Sequence, residues 1–351
     1  MITQTITGPP RPHAGARQPI ITVSLLQNAG SQQATRAQSI PPRAFAFVVA
    51  ACLLATAPAA AHGFVGKRFF PATLATDDPF IADELSLPTI YHFKSPANGD
   101  APATRQTDFS VDISKRITDD LGIGFGARYL RLRPDQGETQ RGFDNVALGL
   151  KYKVYQNDRR ESIVSVGIDW DIGNTGSKRV GAESFSTLTP TLLFGKGFGD
   201  LPDEVKYLRP LAITGTVGIG IPSRASTSTV GEDGDVSVQR NPNTLQWGFA
   251  VEYSVPYLNS NVEGTGWNSF FNQLIPVIEF PMTTSLNRDA SGTTGTVNPG
   301  IIWGGRYFQV AAEAQIPVNR ATGRQVGWIV QLHLYLDDLF PSTIGRPIFR
   351  N

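Results

Sequence analysis

The sequence predicts an all-β chain, a transmembrane antiparallel up-and-down β-barrel of about twelve strands. Three observations lead there. Segment after segment carries apolar residues at every second position. These segments run roughly 10–13 residues, where a tilted bilayer-crossing strand needs about 9–11 and a soluble strand about 5–6. After Ala61 no apolar run is long enough to cross a bilayer as a helix. The gaps between segments also alternate between short and long, as turns and loops do at the two ends of such a barrel.

The N-terminal part reads as targeting sequence. From Ala44 to Ala61 it is AFAFVVAACLLATAPAAA, with Arg43 before it and Ala59-Ala60-Ala61 at its end. A positive charge, a short apolar core and a small-residue end make a secretory signal peptide, so residues 1–61 are expected to be an extension plus signal, cleaved after Ala61. Met1–Pro42 carries Arg11, Arg17 and Arg36, no acidic residue, and much Ser, Gln, Thr and Pro. A start codon placed too far upstream explains this stretch, and a transit-peptide-like extension is the alternative.

Cleavage removes four of the 31 basic residues and none of the 30 acidic ones, leaving a net charge of about −3. A binder of phosphate backbones needs a concentrated basic face, so nucleic acid is excluded as a partner. The one cysteine, Cys52, falls inside the signal, which leaves no disulfide, thiolate nucleophile or Cys-based metal site. Val49-Ala50-Ala51-Cys52 loosely resembles a lipobox, but Leu53, Leu54 and Ala55 continue the apolar core where a lipoprotein turns polar. Hydrophobic residues make up 40% of the chain, as in a soluble protein; a barrel strand, however, needs only every second residue apolar.

His62–Glu84 has no clear period, and residues 62–84 are expected to form a periplasmic leader or short plug. The barrel is expected over 85–336 and a tail over 337–351. Six segments are clearest. Leu121, Ile123, Phe125, Ala127 and Tyr129 share one face, opposite Gly122, Gly124, Gly126 and Arg128. Val146, Leu148, Leu150, Tyr152 and Val154 alternate with Ala147, Gly149, Lys151 and Lys153. Val164, Val166, Ile168, Trp170 and Ile172 alternate with Ser165, Gly167, Asp169 and Asp171. The same pattern runs through Leu245–Val255, Phe308–Ile316 and Val326–Leu336. Side chains of a strand point to opposite faces in turn, so each segment has one greasy and one polar side. Weaker candidates are Leu85–Lys94, Gln106–Ile117, Phe185–Phe198, Leu208–Ile221, Phe270–Pro281 and Thr296–Gly304.

The gaps Thr118–Asp120, Gln156–Arg160 and Gly199–Tyr207 are short, and Ser95–Arg105, Gly173–Ser184, Pro222–Asn243 and Met282–Gly295 are longer. Pro256–Ser269 is longer than a turn at the short end should be. Tyr129, Tyr152, Trp170, Trp247, Tyr253, Trp303 and Trp328 fall near strand ends on the apolar face, as interface girdles do. A soluble two-sheet sandwich is the competing fold, since large aromatics also suit any β core.

Little in the chain reads as chemistry. Gly122-x-Gly124-x-Gly126 has the wrong spacing for a dinucleotide fingerprint and lies on one strand face. Small inward residues that narrow or bend a barrel wall explain it better. Gly195-Lys196-Gly197 lacks the Walker pattern. His62, His92 and His333 have no His or carboxylate at metal-ligand spacing. The outer-membrane phospholipases use Ser and His on the outer wall; here the outward faces contain almost no polar residue and no His beside a strand Ser. Asp77-Asp78, Asp119-Asp120 and Asp337-Asp338 lie in the leader, a turn and the tail, where solvated turn formers are the default. No catalytic, cofactor-binding or metal residue is assigned, and no enzyme activity is expected.

The inward charges are the most informative set. Arg128, Lys151 and Lys153 come from neighbouring early strands, Asp169 and Asp171 from the next, and Glu252, Glu279 and Glu313 from further round. His333 is expected inward beside Gln331 and Tyr335. Positive and negative arcs would set a field across a water-filled lumen and orient a polar solute. Opposite charges in a barrel this narrow can instead pair and close it.

Gln325, Gly327, Val330 and Leu332 resemble the barrel-assembly signal of outer-membrane proteins, although this chain continues past it through Asp337, Asp338 and Phe340 to Phe349-Arg350-Asn351. Signal, short leader, alternating strands and external loops together resemble the bacterial outer-membrane β-barrel proteins described as putative transporters, including the phenol-degradation (MetA-pathway) type. The resemblance implies a Gram-negative outer-membrane location and passive uptake of small solutes, aromatic or hydrophobic compounds among them. It implies the lipid bilayer, small-molecule solutes and the barrel-assembly machinery as partners. The alternative is a non-conducting structural or adhesive barrel whose external loops, chiefly Pro222–Asn243, bind a partner.

Overall fold

A computed structural model describes residues 63–97, 101–230, 236–288 and 292–349. The expected extension and signal peptide, and His62, lie outside the described residues. Twelve strands form one ring. They are β1 (Glu84–Ser95), β2 (Thr104–Arg116), β3 (Leu121–Pro134), β4 (Val146–Asn157), β5 (Ser162–Ile172) and β6 (Thr187–Gly197). They continue as β7 (Leu211–Pro222), β8 (Thr244–Tyr253), β9 (Leu274–Glu279 and Met282–Ser285), β10 (Thr293–Gly304), β11 (Phe308–Pro317) and β12 (Gly327–Tyr335).

Each strand pairs antiparallel with its neighbours in sequence. The ring closes where β12 meets β1, with Trp328 opposite His92 and Tyr335 opposite Glu84. Closure leaves no unpaired edge, the condition for burying a sheet in lipid. All twelve expected strands are present.

The apolar face of each strand points outward. On β5, Val166, Ile168 and Trp170 are exposed while Ser165 is fully buried. Leu148, Leu150 and Tyr152 on β4, Leu188, Leu192 and Phe194 on β6, and Val217, Ile219 and Ile221 on β7 continue this exposed band. An apolar belt of that extent is foreign to a soluble monomer, and among the described residues no second sheet covers it. That arrangement overturns the two-sheet sandwich.

Two expected connections are corrected. The Met282–Gly295 gap is partly strand: β9 breaks at Phe280-Pro281 and resumes, so the loop is 286–292. Pro281 has no N–H to give the ladder, which interrupts the strand. Phe280 stays in place by donating its N–H to Phe249 O (2.8 Å) and stacking on the Phe249 ring at 4.4 Å. Gly199–Tyr207 was expected as a short turn, but 198–210 contains a 3₁₀ segment, Asp203–Leu208.

The short-turn end thus carries three tight turns (117–120, 158–161 and 305–307) and two longer connections, 198–210 and 254–273. Those two pack on each other, Lys206 and Tyr207 donating to Glu263 at 2.9 and 2.5 Å. At the other end, Gln140–Phe143 extends the pairing of β3, and Ser226–Val230 pairs with Val236–Arg240 as a separate hairpin.

Candidate functional site

The lumen is the site, and the leader (63–83) lies inside it. The leader begins with a tight hairpin, Phe64–Val65 against Arg68–Phe69. Gly66 turns it with φ +61° while passing the Asp158 carbonyl so closely that a Cβ would sit 2.3 Å from the oxygen. Only glycine meets both demands.

Arg68 is fully buried. Its Nε donates to Glu161 Oε2 (3.2 Å), its Nη1 to Pro210 O (2.8 Å) and its Nη2 to the Arg209 carbonyl. The guanidinium carbon lies 3.8 Å from the centre of the Tyr257 ring. One side chain therefore ties the leader to turn 158–161 and to both long connections of that end. Their length has a physical use: they reach inward to hold this residue.

The chain then crosses the lumen. Gln309 on β11 meets both backbone groups of Ala72. Glu279 on β9 is fully buried, and its carboxylate accepts from the N–H groups of Leu74, Ala75 and Thr76 (2.6, 2.9 and 2.6 Å) and from Thr76 Oγ1. A carboxylate receiving converging backbone donors binds more strongly than a neutral acceptor does. Leu74 packs into inward residues Ala250, Ile275, Val277, Ile302, Ala311 and Ile329. This side of the lumen is therefore apolar at leader level. Gly248 faces Thr76 from β8, where a Cβ would lie 2.7 Å from Thr76 Cγ2.

On the opposite wall, Lys151 of β4 donates to Asp77 Oδ1 (2.9 Å) and Asp78 O (2.6 Å), and Ser165 of β5 donates to Pro79 O. The leader leaves through Asp83, also fully buried, which accepts from Lys115 Nζ (2.6 Å) and from Arg116 N (2.8 Å) and Nε (2.9 Å). Leu336 after β12 donates to the Asp83 carbonyl, and Phe349 of the tail donates to Ile117 O. Tail and leader both anchor at the turn end.

The inward charges take up definite partners. Arg128 lies between Asp108 (3.5 Å) and Asp144 (3.6 Å). Lys151 is paired with Asp77, and Lys153 with Asp120 at 2.9 Å. Asp169 is 3.5 Å from Thr191 Oγ1. Glu313 accepts from Asn298 (3.2 Å), and both Glu252 carboxylate oxygens are buried without a hydrogen-bond partner. His333 meets Ser86 Oγ through Nδ1 (2.8 Å), and its Nε2 lies 3.5 Å from Glu84. Asp171 shares the inward parity of Asp169.

Of the two alternatives for the inward charges, the three cations follow pairing: each is neutralised locally. The neutralising acids lie in segments the strand-by-strand reading did not join: the leader, a turn, a loop and β2. Asp108 and Asp112 on β2 were missed although they alternate with Phe109, Val111 and Ile113, so the same period-two rule finds them. The acidic pairs are corrected too. Asp77 pairs inside the lumen, and Asp337 is buried with Oδ2 3.9 Å from Arg116. No group of three His, Cys, Asp or Glu side chains among the described residues is placed to hold a metal.

The outer wall also departs from expectation. His92 faces outward, stacked on Trp328 with ring centres 5.5 Å apart, and its Nδ1 meets Thr107 Oγ1 at 2.8 Å. Arg105, Arg131 and Arg133 are exposed on the same face.

No family model and no curated protein matches this chain. Among solved structures, the chain is similar to the NanC porin, at 10% identity and a TM-score of 0.40, over 71% of this chain and 98% of the porin. It is also similar to the translocator domain of the autotransporter NalP from Neisseria meningitidis, at 8% identity and a TM-score of 0.42, over 74% of this chain and 90% of the domain.

Proposed function

We propose that the chain is an outer-membrane channel for passive passage of small solutes, narrowed by its own N-terminal leader. One observation carries this reading: a ring with a greasy outer belt encloses a lumen lined by buried polar side chains such as Glu252, Glu279 and Asn298 beside one apolar cluster, and the leader occupies part of it. A barrel built only as a scaffold has no need of a separate segment in its bore. With Arg128, Lys151 and Lys153 paired, Asp112 and Asp169 add inward acid on β2 and β5, which favours cations and uncharged solutes over anions. Uncharged aromatic compounds, the class implied by the family resemblance, fall within that selection. The bilayer and the barrel-assembly machinery are the remaining partners of this reading, the latter through the Gln325, Gly327, Val330 and Leu332 pattern. Catalysis is not part of it.

The test is conductance and solute flux in liposomes for the processed chain, for a variant lacking residues 63–83, and for Lys151→Gln and Asp169→Asn. Cation-selective steps that widen on deletion, with selectivity falling in Asp169→Asn and rising in Lys151→Gln, are the expected result. Absence of steps in both the intact and the shortened barrel, each migrating as a folded heat-modifiable species, sinks the proposal. One feature favours a second reading, a partner-binding barrel: the hairpin 226–230/236–240 exposes Val236 and Val238.

A further inference from the structure

We propose that the outer wall of β1–β3, at the long-loop end, binds the headgroup of a membrane lipid that carries more than one phosphate. Two rows of side chains lie there. In the first, register places Lys94 opposite Arg105 and Arg105 opposite Arg133. In the second, Trp328 faces His92, His92 faces Thr107, Thr107 faces Arg131, and Arg131 faces Arg141. The arginines of both rows share the outward parity of Phe109, Ile113 and Ile123, all exposed.

Directly opposed like charges on one sheet face are unfavourable, yet the pattern occurs three times here, at Lys94–Arg105, Arg105–Arg133 and Arg131–Arg141. Arg105, Arg131, Arg133 and Arg141 are exposed, and among the described residues none has an ion pair. The described acidic side chains of the β3–β4 connection are Asp135, Glu138 and Asp144, of which Asp144 is buried against Arg128. Asp135 accepts from Lys94 at 2.6 Å. That hydrogen bond, with the charges of Lys94 and Arg105, holds its carboxyl below the usual carboxylate range, a sign of the field these cations make. Among the described residues no carboxylate pairs with these guanidiniums, which leaves them open to an anion from outside the chain.

Their height on the wall says which kind. Immediately nearer mid-wall Phe143 lies edge-on to Tyr129 at 5.2 Å, and Trp328 stacks on His92 at the end of the second row itself. Beyond these rings lies the apolar band. Cations just outside an aromatic girdle sit at headgroup depth, where a phosphate held above acyl chains meets them. Guanidinium takes phosphate in bidentate fashion. Two rows separated by two residues along the strand, ~7 Å, suit two phosphates. The patch is local: Trp170, Leu188, Ile221 and Ile316 occupy outward loop-end positions on other strands. The inference depends on the barrel sitting in a bilayer and not on whether its lumen conducts.

The experiment uses the refolded processed chain in detergent, mixed with diphosphoryl lipid A, phosphatidylcholine or inorganic phosphate, with bound lipid read by native mass spectrometry. The triple variant Arg131→Gln, Arg133→Gln, Arg141→Gln is expected to bind diphosphoryl lipid A more weakly by roughly fivefold for each guanidinium removed. The corresponding triple Arg→Lys variant is expected to keep most of the affinity. Heat-modifiable migration checks folding; should the Gln triple not fold, Arg133→Gln alone is compared. Unchanged lipid retention in the folded Gln variant, equal binding of phosphatidylcholine, or displacement by inorganic phosphate at matched phosphate concentration each overturns the proposal.

Discussion

Glu279, on the wall strand β9, accepts a hydrogen bond from the backbone N–H of Leu74 in the leader at 2.6 Å. The same carboxylate takes the next two N–H groups and the Thr76 hydroxyl, so one side chain fixes the leader in mid-lumen. Glu279→Ala leaves those donors unsatisfied, at about 1–3 kcal/mol each. Even about 3 kcal/mol in total raises the population of released leader roughly a hundredfold. Limited proteolysis is expected to cut within 63–83 much faster in the variant, with the barrel core uncut. Equal cleavage rates would show that Glu279 is not the latch.

A disulfide between leader and wall tests the same placement from the other side. A Cβ at Gly122 on β3 would lie 3.0 Å from Ile81 Cγ2, so cysteines at the two positions come within disulfide range. Cys52 precedes the expected cleavage point, so the double variant Ile81→Cys, Gly122→Cys holds no competing thiol after processing. Oxidation is expected to form the bond nearly completely, and reduction to restore the original conductance.

Lipid contact is tested on β5. Ile168 points outward and is exposed, and its neighbour Asp169 points inward. Ile168→Arg is expected to lower folding stability in vesicles by about 2–4 kcal/mol, the cost of an arginine near the bilayer midplane. Asp169→Asn is expected to cost well under that. Urea titration followed by tryptophan fluorescence reads both; comparable losses would contradict the assignment of faces.

Arg128 is held between Asp108 and Asp144, all three side chains largely shielded. Arg128→Met leaves two carboxylates facing each other without a cation, and a loss of about 3 kcal/mol is expected. Adding Asp108→Asn should recover part of it. Additive losses in the double variant would mean the two groups do not interact.

At the turn end, Tyr207 and Lys206 both donate to Glu263 and hold its carboxyl below the ordinary value of 4.5. Because the folded value is the lower one, the contribution is fully present above pH ~4.5 and is lost as pH falls through the depressed value. Hydrogen exchange in 254–273 is expected to quicken over that acid range, and Glu263→Gln to remove the dependence.

The sequence alone determined the wall. Period-two alternation places Ile168 and Asp169 on opposite faces whatever they touch, because successive Cβ atoms of a strand point opposite ways. Segment length then distinguishes a bilayer-spanning barrel from a sandwich, so strand number and face assignment were legible, as were the inward charges other than Asp108 and Asp112 of the weaker β2 segment. The tertiary structure alone decided what those charges meet. Lys151 is an open lumen cation until Asp77, distant in sequence, is laid beside it, and Glu279 is one inward acid among several until Leu74–Thr76 turn three N–H groups toward it. The leader follows no period, so the sequence left a periplasmic leader and a short plug as alternatives. Likewise, Arg105, Arg131, Arg133 and Arg141 become a cluster only through cross-strand register, because the pairing of separate strands is a property of the closed sheet and not of any one segment.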